Sequence, residues 1–162
     1  MNDTTRPVIN VADVALRDNG HGDLFAAKIG RMAPLIGSTG IGCTYTVVAP
    51  GKRAFPYHVH HVVHELFVIL EGTGEYRFGD KTYPIKPGDV CAAPTGGPER
   101  AHQIVNTSAS DLRYLSISTM SDTELVEYPD SNKFAVSGKT SDGGRFRFIR
   151  RMDGNLDYWD GE

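Results

Sequence analysis

The sequence predicts an all-β domain made of many short strands, and three observations lead to this prediction. The chain has 162 residues, the size of one domain around one hydrophobic core. Glycine contributes 18 residues and proline 9, a turn-rich composition that suits short strands better than long helices. Apolar residues alternate along several segments, and no segment shows a convincing amphipathic helical pattern.

The strands are predicted one after another from this alternation. The first has Cys43, Tyr45 and Val47 on one face. The run from 65 to 71 is apolar on both faces, which predicts a central strand between two layers. Further short strands are predicted, separated by turn residues, at 76–78, 81–83, 90–93, 102–106, 113–118 and 123–128. Their regular spacing predicts a closed antiparallel sandwich or barrel of the jelly-roll type.

Polar, irregular segments flank this body. We predict an N-terminal arm at 1–24, a β-barrel at 25–136 and a C-terminal arm at 137–162, within a single domain. The opening residues lack the apolar stretch of a signal peptide, and no apolar run approaches the length of a membrane span. We therefore expect a cytoplasmic protein that does not bind membranes.

The charge balance argues against nucleic acid as a partner. The net charge is −3, which gives no general attraction to phosphate backbones. The segment 145–151 alternates basic and aromatic residues, but an edge strand explains that alternation as well as a nucleic-acid surface does. We expect no nucleic-acid binding.

The densest chemical signal is a cluster of four histidines within seven residues. Within it, His58 and His60 would face the same side of an extended chain. Glu65 begins the next predicted strand and His102 begins a later one, so a closing barrel could bring all four side chains inward. Three nitrogens and one oxygen suit Zn, Fe, Mn or Ni, among which the affinity series does not choose. A solvated loop of histidines is the alternative.

Two spaced motifs resemble the conserved motifs of the cupin superfamily. They are Gly51-x6-His58-x-His60-x4-Glu65-x6-Gly72 and Gly88-x5-Pro94-x-Gly96-x5-His102-x3-Asn106. The departures are one extra residue before His58 and three extra residues before His102, both in loops. The resemblance implies a cupin jelly-roll β-barrel, or double-stranded β-helix, that holds one divalent metal on His58, His60, Glu65 and His102, with Asn106 in a supporting position.

Beyond the motifs, the chain resembles small bacterial cupins, some of which are described as sugar phosphate isomerases. The resemblance implies a metal-dependent isomerase of the aldose-ketose type, with a small polar metabolite as substrate and Glu65 as a catalytic residue. An Fe(II)-type dioxygenase of a small organic acid or thiol is one alternative. A non-catalytic small-molecule binding cupin is another, so whether the chain is an enzyme stays open.

Other residues are weaker candidates. Glu99 and Arg100, in the enlarged loop before His102, could bind substrate over the cavity, and Tyr45 is a third candidate. Their alternatives are a hydrated loop and a core position. Strand parity directs His61 and His64 away from the ligand set, so they are expected to face outward or line the rim, and their role stays open. Apolar residues on both faces of 65–70 and in the tails predict a homodimer.

Overall fold

A computed structural model describes residues 6–162, which form a nearly all-β domain. The first five residues of the predicted N-terminal arm lie outside the described residues. Within 6–162 there is no α-helix, and four single-turn 3₁₀ helices lie at Val11–Asp13, Ala33–Ile36, Pro98–Arg100 and Pro129–Ser131. The strands are β1 (Arg17–His21), β2 (Phe25–Arg31), β3 (Ile41–Val48), β4 (Val59–His60), β5 (Glu65–Glu71), β6 (Gly74–Phe78), β7 (Lys81–Ile85), β8 (Val90–Ala93), β9 (His102–Val105), β10 (Leu112–Thr119), β11 (Thr123–Tyr128), β12 (Lys133–Lys139) and β13 (Arg145–Arg151).

The strands form three antiparallel sheets. Their orders are β1-β2-β3-β10-β5-β8, β13-β12-β11-β4 and β7-β6-β9. The predicted all-β jelly roll is confirmed, although the ladders between named strands do not join the three sheets into a fully hydrogen-bonded barrel. An isolated bridge between His58 and His102 connects the approach to β4 with the start of β9. No helix within 6–162 has the length and apolar character to cross a membrane.

The main core lies among β3, β5, β6, β9 and β10. Val48, Ile69, Leu112 and Tyr114 are almost completely buried there. Such burial stabilises the fold by about 1.5–3 kcal/mol for each large apolar side chain. β5 is central, between β10 and β8, but only one of its faces lies in the core. The expectation that both faces are covered is wrong within this chain, because Leu66 on the other face is 37% exposed.

A second apolar cluster covers the outer face of the six-stranded sheet. Ile9, Val11 and Leu16 pack there against a buried group that includes Tyr45 and Val47. β1, which lies within the segment predicted as an N-terminal arm, pairs with β2 along its whole length. At the other end, β12 crosses the predicted boundary at residue 136 and β13 pairs with β12. Both flanking segments therefore add strands to the sheets.

Two residues of the motifs have structural roles. Asn106 is fully buried, where its amide donates to the carbonyls of Val48 and Ser110 at 2.9 and 2.7 Å. Gly72 has a φ of +80°, and a Cβ there would lie 2.3 Å from the carbonyl oxygen of Asp111. Any larger residue would push β10 away from the turn. These two positions fix the turns that align β5 with β10.

Candidate metal centre

Backbone pairing brings the four predicted ligands to one end of the barrel. The amide of His58 donates to the carbonyl of His102 at 3.1 Å, and the amide of His102 donates back at 2.7 Å. His60 lies in β4, which pairs with β11, and Glu65 is the first residue of β5. Residues far apart in sequence are thus held by strand ladders rather than by flexible loops.

Glu65 is the centre of the cluster. Its Oε2 lies 3.2 Å from His60 Nε2, 3.4 Å from His102 Nε2 and 3.9 Å from His58 Nε2. Two ligands at about 2.1 Å from one ion stand roughly 3.0–4.2 Å apart in tetrahedral or octahedral geometry. All three distances fall in that range, so the spacing fits a shared ion.

Three of the four residues form a compact group. The ligand atoms of His58, His60 and Glu65 lie within 4.8 Å of one another, a cluster that could hold a metal. His102 stands slightly apart from that group, although its ring centroid is 4.6 Å from that of His58. His102 Nε2 nevertheless lies 3.4 Å from Glu65 Oε2, within the range that a shared ion requires.

The buried His102 ring supports a metal in this place. Its side chain is 2% exposed, and neither ring nitrogen has a hydrogen-bond partner among the described residues. An unpaired buried polar group costs about 1–3 kcal/mol. A metal bound at Nε2 would remove part of that cost, and the donor set suits a divalent cation.

The electrostatics give His58 and Glu65 the protonation states that a metal requires. Burial, then the neighbouring His102 and His60, lower the pKa of His58 to about 3, so its ring is neutral at pH 7. Burial alone would raise the pKa of Glu65, but the neighbouring ring nitrogens of His102 and His60 outweigh it and hold the pKa well below its usual value. A neutral imidazole and an ionised carboxylate are both competent ligands.

Contacts behind the ligands orient their rings. His58 Nδ1 donates to the carbonyl of Pro56 at 2.8 Å, which leaves Nε2 free as the electron-pair donor. His60 Nδ1 lies 3.3 Å from a carboxylate oxygen of Glu124. Burial lowers the pKa of His60, but Glu65 and Glu124 outweigh it and raise that pKa overall.

Glu124 also ties the loop between β4 and β5 to β11. Its carboxylate oxygens accept from the amides of Val62 and Val63 at 3.1 and 2.9 Å. No sequence motif predicted Glu124 as part of the site. The available signal was its position in the predicted strand 123–128, two residues from Val126 and therefore on the same inward face.

The ligands line a cavity of about 270 Å³. Phe67, Ile104 and Tyr114 form its apolar wall, and Gln103 closes one side by donating to the carbonyl of Phe55 at 2.8 Å. Tyr128 and Arg147 lie at the side formed by β11 and β13. A wider crevice of about 590 Å³ beside β1 and β2 contains no histidine, so it does not compete as a metal centre.

The structure does not bring the other predicted contact residues to this cavity. Glu99 and Arg100 are exposed in the 3₁₀ helix before β9, with 3.8 Å between Arg100 Nε and Glu99 Oε1. Tyr45 belongs to the outer apolar cluster. His61 and His64 also lie outside the cavity wall, and His61 Nε2 is 2.8 Å from a carboxylate oxygen of Glu127.

Comparison with known proteins agrees with this architecture. Residues 44–118 match a family model described as a cupin domain. A structure from Acidithiobacillus ferrooxidans, whose proposed activity is sugar phosphate isomerisation, superposes with a TM-score of 0.79 over 95% of this chain and 98% of that chain, at 23% identity. The chain carries a cupin domain. A second cupin, described as a sugar phosphate isomerase from Silicibacter pomeroyi, superposes with a TM-score of 0.77 at 22% identity over 95% of this chain and 98% of that one.

A curated relative has a different description. This chain is 38% identical over 68 residues to an oxalate-binding protein from Thermotoga maritima, a match that spans 42% of this chain and 54% of that protein. The chain therefore spans about half the length of that relative. The two solved structures show the shared fold, and the match of residues 44–118 to the cupin domain model supports the predicted resemblance in sequence.

Proposed function

We propose that this cupin holds one divalent metal on His58, His60, Glu65 and His102 and isomerises a sugar phosphate between its aldose and ketose forms. The convergence of three imidazole nitrogens on the Glu65 carboxylate is the observation that carries the proposal. The descriptions of the two neighbouring cupin structures support the choice of reaction. Zn, Fe, Mn and Ni all suit these ligands.

The metal, Glu65 and the apolar wall would have different roles in the proposed isomerisation. A divalent cation bound here would act as a Lewis acid on a substrate carbonyl. All three histidine contacts of Glu65 use Oε2, which leaves Oε1 free to accept a proton. We assign Glu65 to move the proton from the carbon beside the carbonyl to the carbonyl carbon, while the hydroxyl proton passes to the carbonyl oxygen. Atoms balance, because substrate and product are isomers. The wall of Phe67, Ile104 and Tyr114 limits water.

A second function is favoured by the relative from Thermotoga maritima, whose described ligand is oxalate. In that case the same metal would hold a small organic acid through its oxygens without turnover. The cavity of about 270 Å³ admits a ligand of that size. Binding without turnover and isomerisation differ in whether a carbon-bound proton ever leaves the ligand.

The experiment follows that proton. Untagged protein is analysed for metal, loaded to one equivalent and incubated with aldose and ketose phosphates in D2O. We expect deuterium at the carbon beside the carbonyl, together with the isomeric sugar, by NMR. His102→Ala should abolish both signals, whereas His64→Ala, which removes an exposed histidine outside the cavity, should not. Stoichiometric metal with neither isomeric sugar nor deuterium incorporation would contradict the isomerase and favour the binding function. Oxygen uptake on adding an organic acid would instead indicate a dioxygenase.

We also propose a homodimer. Leu66 and Leu70 on the outer face of β5 are 37% and 39% exposed, and Phe148 on β13 is 58% exposed. A second copy could cover these surfaces with two-fold symmetry. Light scattering of the full chain at micromolar concentration should give twice the chain mass, and a monomeric mass would refute the dimer. A cytoplasmic location stays a prediction.

A further inference from the structure

Arg147 brings positive charge to the wall of the metal cavity. It lies in β13, paired opposite Ser137, at the edge of the four-stranded sheet. Among the described residues that line the cavity it is the only lysine or arginine, and Glu65 is the only carboxylate. Neither cupin motif contains it, and it lies beyond the residues that match the family model.

The guanidinium of Arg147 has no acidic partner within 4.0 Å in the part of the chain that the structure describes. Its one side-chain hydrogen bond is donated by Nη2 to the hydroxyl of Tyr128 at 3.4 Å. Arg77 shows the contrast, because it donates to both oxygens of Asp130 at 2.7 and 3.0 Å. Arg147 therefore keeps the paired donors that bind a carboxylate or phosphate in two-pronged fashion.

Tyr128 connects this cation to the metal ligands. Its ring stacks beside that of His58, with centroids 6.1 Å apart and planes at 27°, while its hydroxyl faces Arg147. A ligand that extends from the metal, beside the Tyr128 ring, to Arg147, beside the Tyr128 hydroxyl, needs an oxygen donor at the metal and an anionic group at Arg147. Two neutral functions at the ends would leave the guanidinium without a partner.

The charge of the metal-loaded cavity also favours an anionic ligand. The four metal ligands would contribute one negative charge, from Glu65, against two positive charges on the ion. Arg147 adds a further positive charge at the same cavity. A small cavity with net positive charge and an apolar wall concentrates anions of matching size.

We propose that Arg147 and the Tyr128 hydroxyl form an anion subsite of the metal cavity, and that the substrate is a small hydroxylated carbonyl compound ending in a phosphate or carboxylate. The inference rests on the proposed metal centre and assigns residues to the anionic end of its substrate. Arg147 is a specificity-determining residue in this account, since it would contact the anionic end and not the reacting carbons.

Calorimetric titration of the metal-loaded full chain tests the subsite by binding rather than turnover. The probes are ribose 5-phosphate, ribonate and ribose, which end in a phosphate, a carboxylate and no anion. Arg147→Gln should weaken binding of the recognised anion at least about tenfold, because a charge-assisted hydrogen bond is lost. Arg145→Gln is the matched control. It removes the same charge from the same face of β13, but Arg145 lies outside the cavity wall. We expect it to change affinity less than twofold.

The anion that loses affinity in R147Q identifies the terminal group as a phosphate or a carboxylate. Equal affinities in R147Q and wild type for both anions would overturn the subsite, as would a metal-loaded wild type that binds neither. Metal content and thermal midpoint are measured in each variant, so a folding or loading defect is recognised separately. If anion binding depends on Arg147 but no turnover is observed, the subsite proposal is supported and the isomerase proposal is contradicted.

Discussion

The two walls of the metal cavity differ in burial and in charge. The inner wall, from β5, β9 and β10, contains buried Phe67 and Tyr114 and a His102 side chain that is 2% exposed. The other wall, from β11 and β13, presents the half-buried Tyr128 and the exposed Arg147. β5 and β10 each pair with a strand on both sides, whereas β13 is an edge strand that faces solvent and can change its side chains at little cost in stability. Under the two proposals above, the inner wall would supply metal ligands and the other wall would select the ligand.

The largest expected effect comes from removing a proposed metal ligand. His60→Ala or His102→Ala removes one of three nitrogen donors, and we expect stoichiometric metal to be lost from the purified protein. Elemental analysis after gel filtration measures this. His64→Ala should retain wild-type metal content, because that residue lies outside the cluster. Full retention of metal in the double variant H60A/H102A would exclude these ligands.

A matched pair of isoleucines tests the difference in stability between the two regions. Ile69 in β5 is 1% exposed and Ile149 in β13 is 52% exposed. Ile69→Ala should lower the free energy of unfolding by about 2–5 kcal/mol, because it leaves a cavity in the core. Ile149→Ala should change it by less than about 0.5 kcal/mol. Urea titration gives both values, and equal losses would show that β13 is as tightly packed as β5.

A smaller effect is expected from Glu124, which contacts His60 from behind. Glu124→Gln keeps the acceptor for the amides of Val62 and Val63 in part but removes the charge beside His60 Nδ1. We expect metal affinity to fall about 10- to 100-fold, the usual cost of losing such a partner. Competition with a chromogenic chelator measures it. Glu127→Gln, next to His61 and outside the cavity, is the control, and equal affinities in both variants would deny Glu124 this role.

The sequence allowed prediction of the four proposed metal ligands but of little in the wall formed by β11 and β13. Spacing and strand parity brought together His58, His60, Glu65 and His102, because those properties are local or are carried by the cupin motifs. The alternation of apolar residues showed which neighbours share a face with Tyr45, but not whether that face encloses the cavity. In the structure, Tyr45 lies on the opposite face, which the segment with Ile9 and Val11 covers. Arg147 was missed because its position depends on pairing β13 with β12 and β12 with β11, which no local pattern specifies.

The direct test of the central claim is the structure of the chain crystallised with one equivalent of Mn²⁺ or Zn²⁺, with anomalous diffraction locating the ion. We predict a single strong peak bonded to Nε2 of all three histidines at about 2.0–2.2 Å and to Oε2 of Glu65, with the His102 ring turned toward the ion. A peak at any other place, or an ion that leaves His102 unbound and its ring nitrogens still unpartnered, would contradict the account.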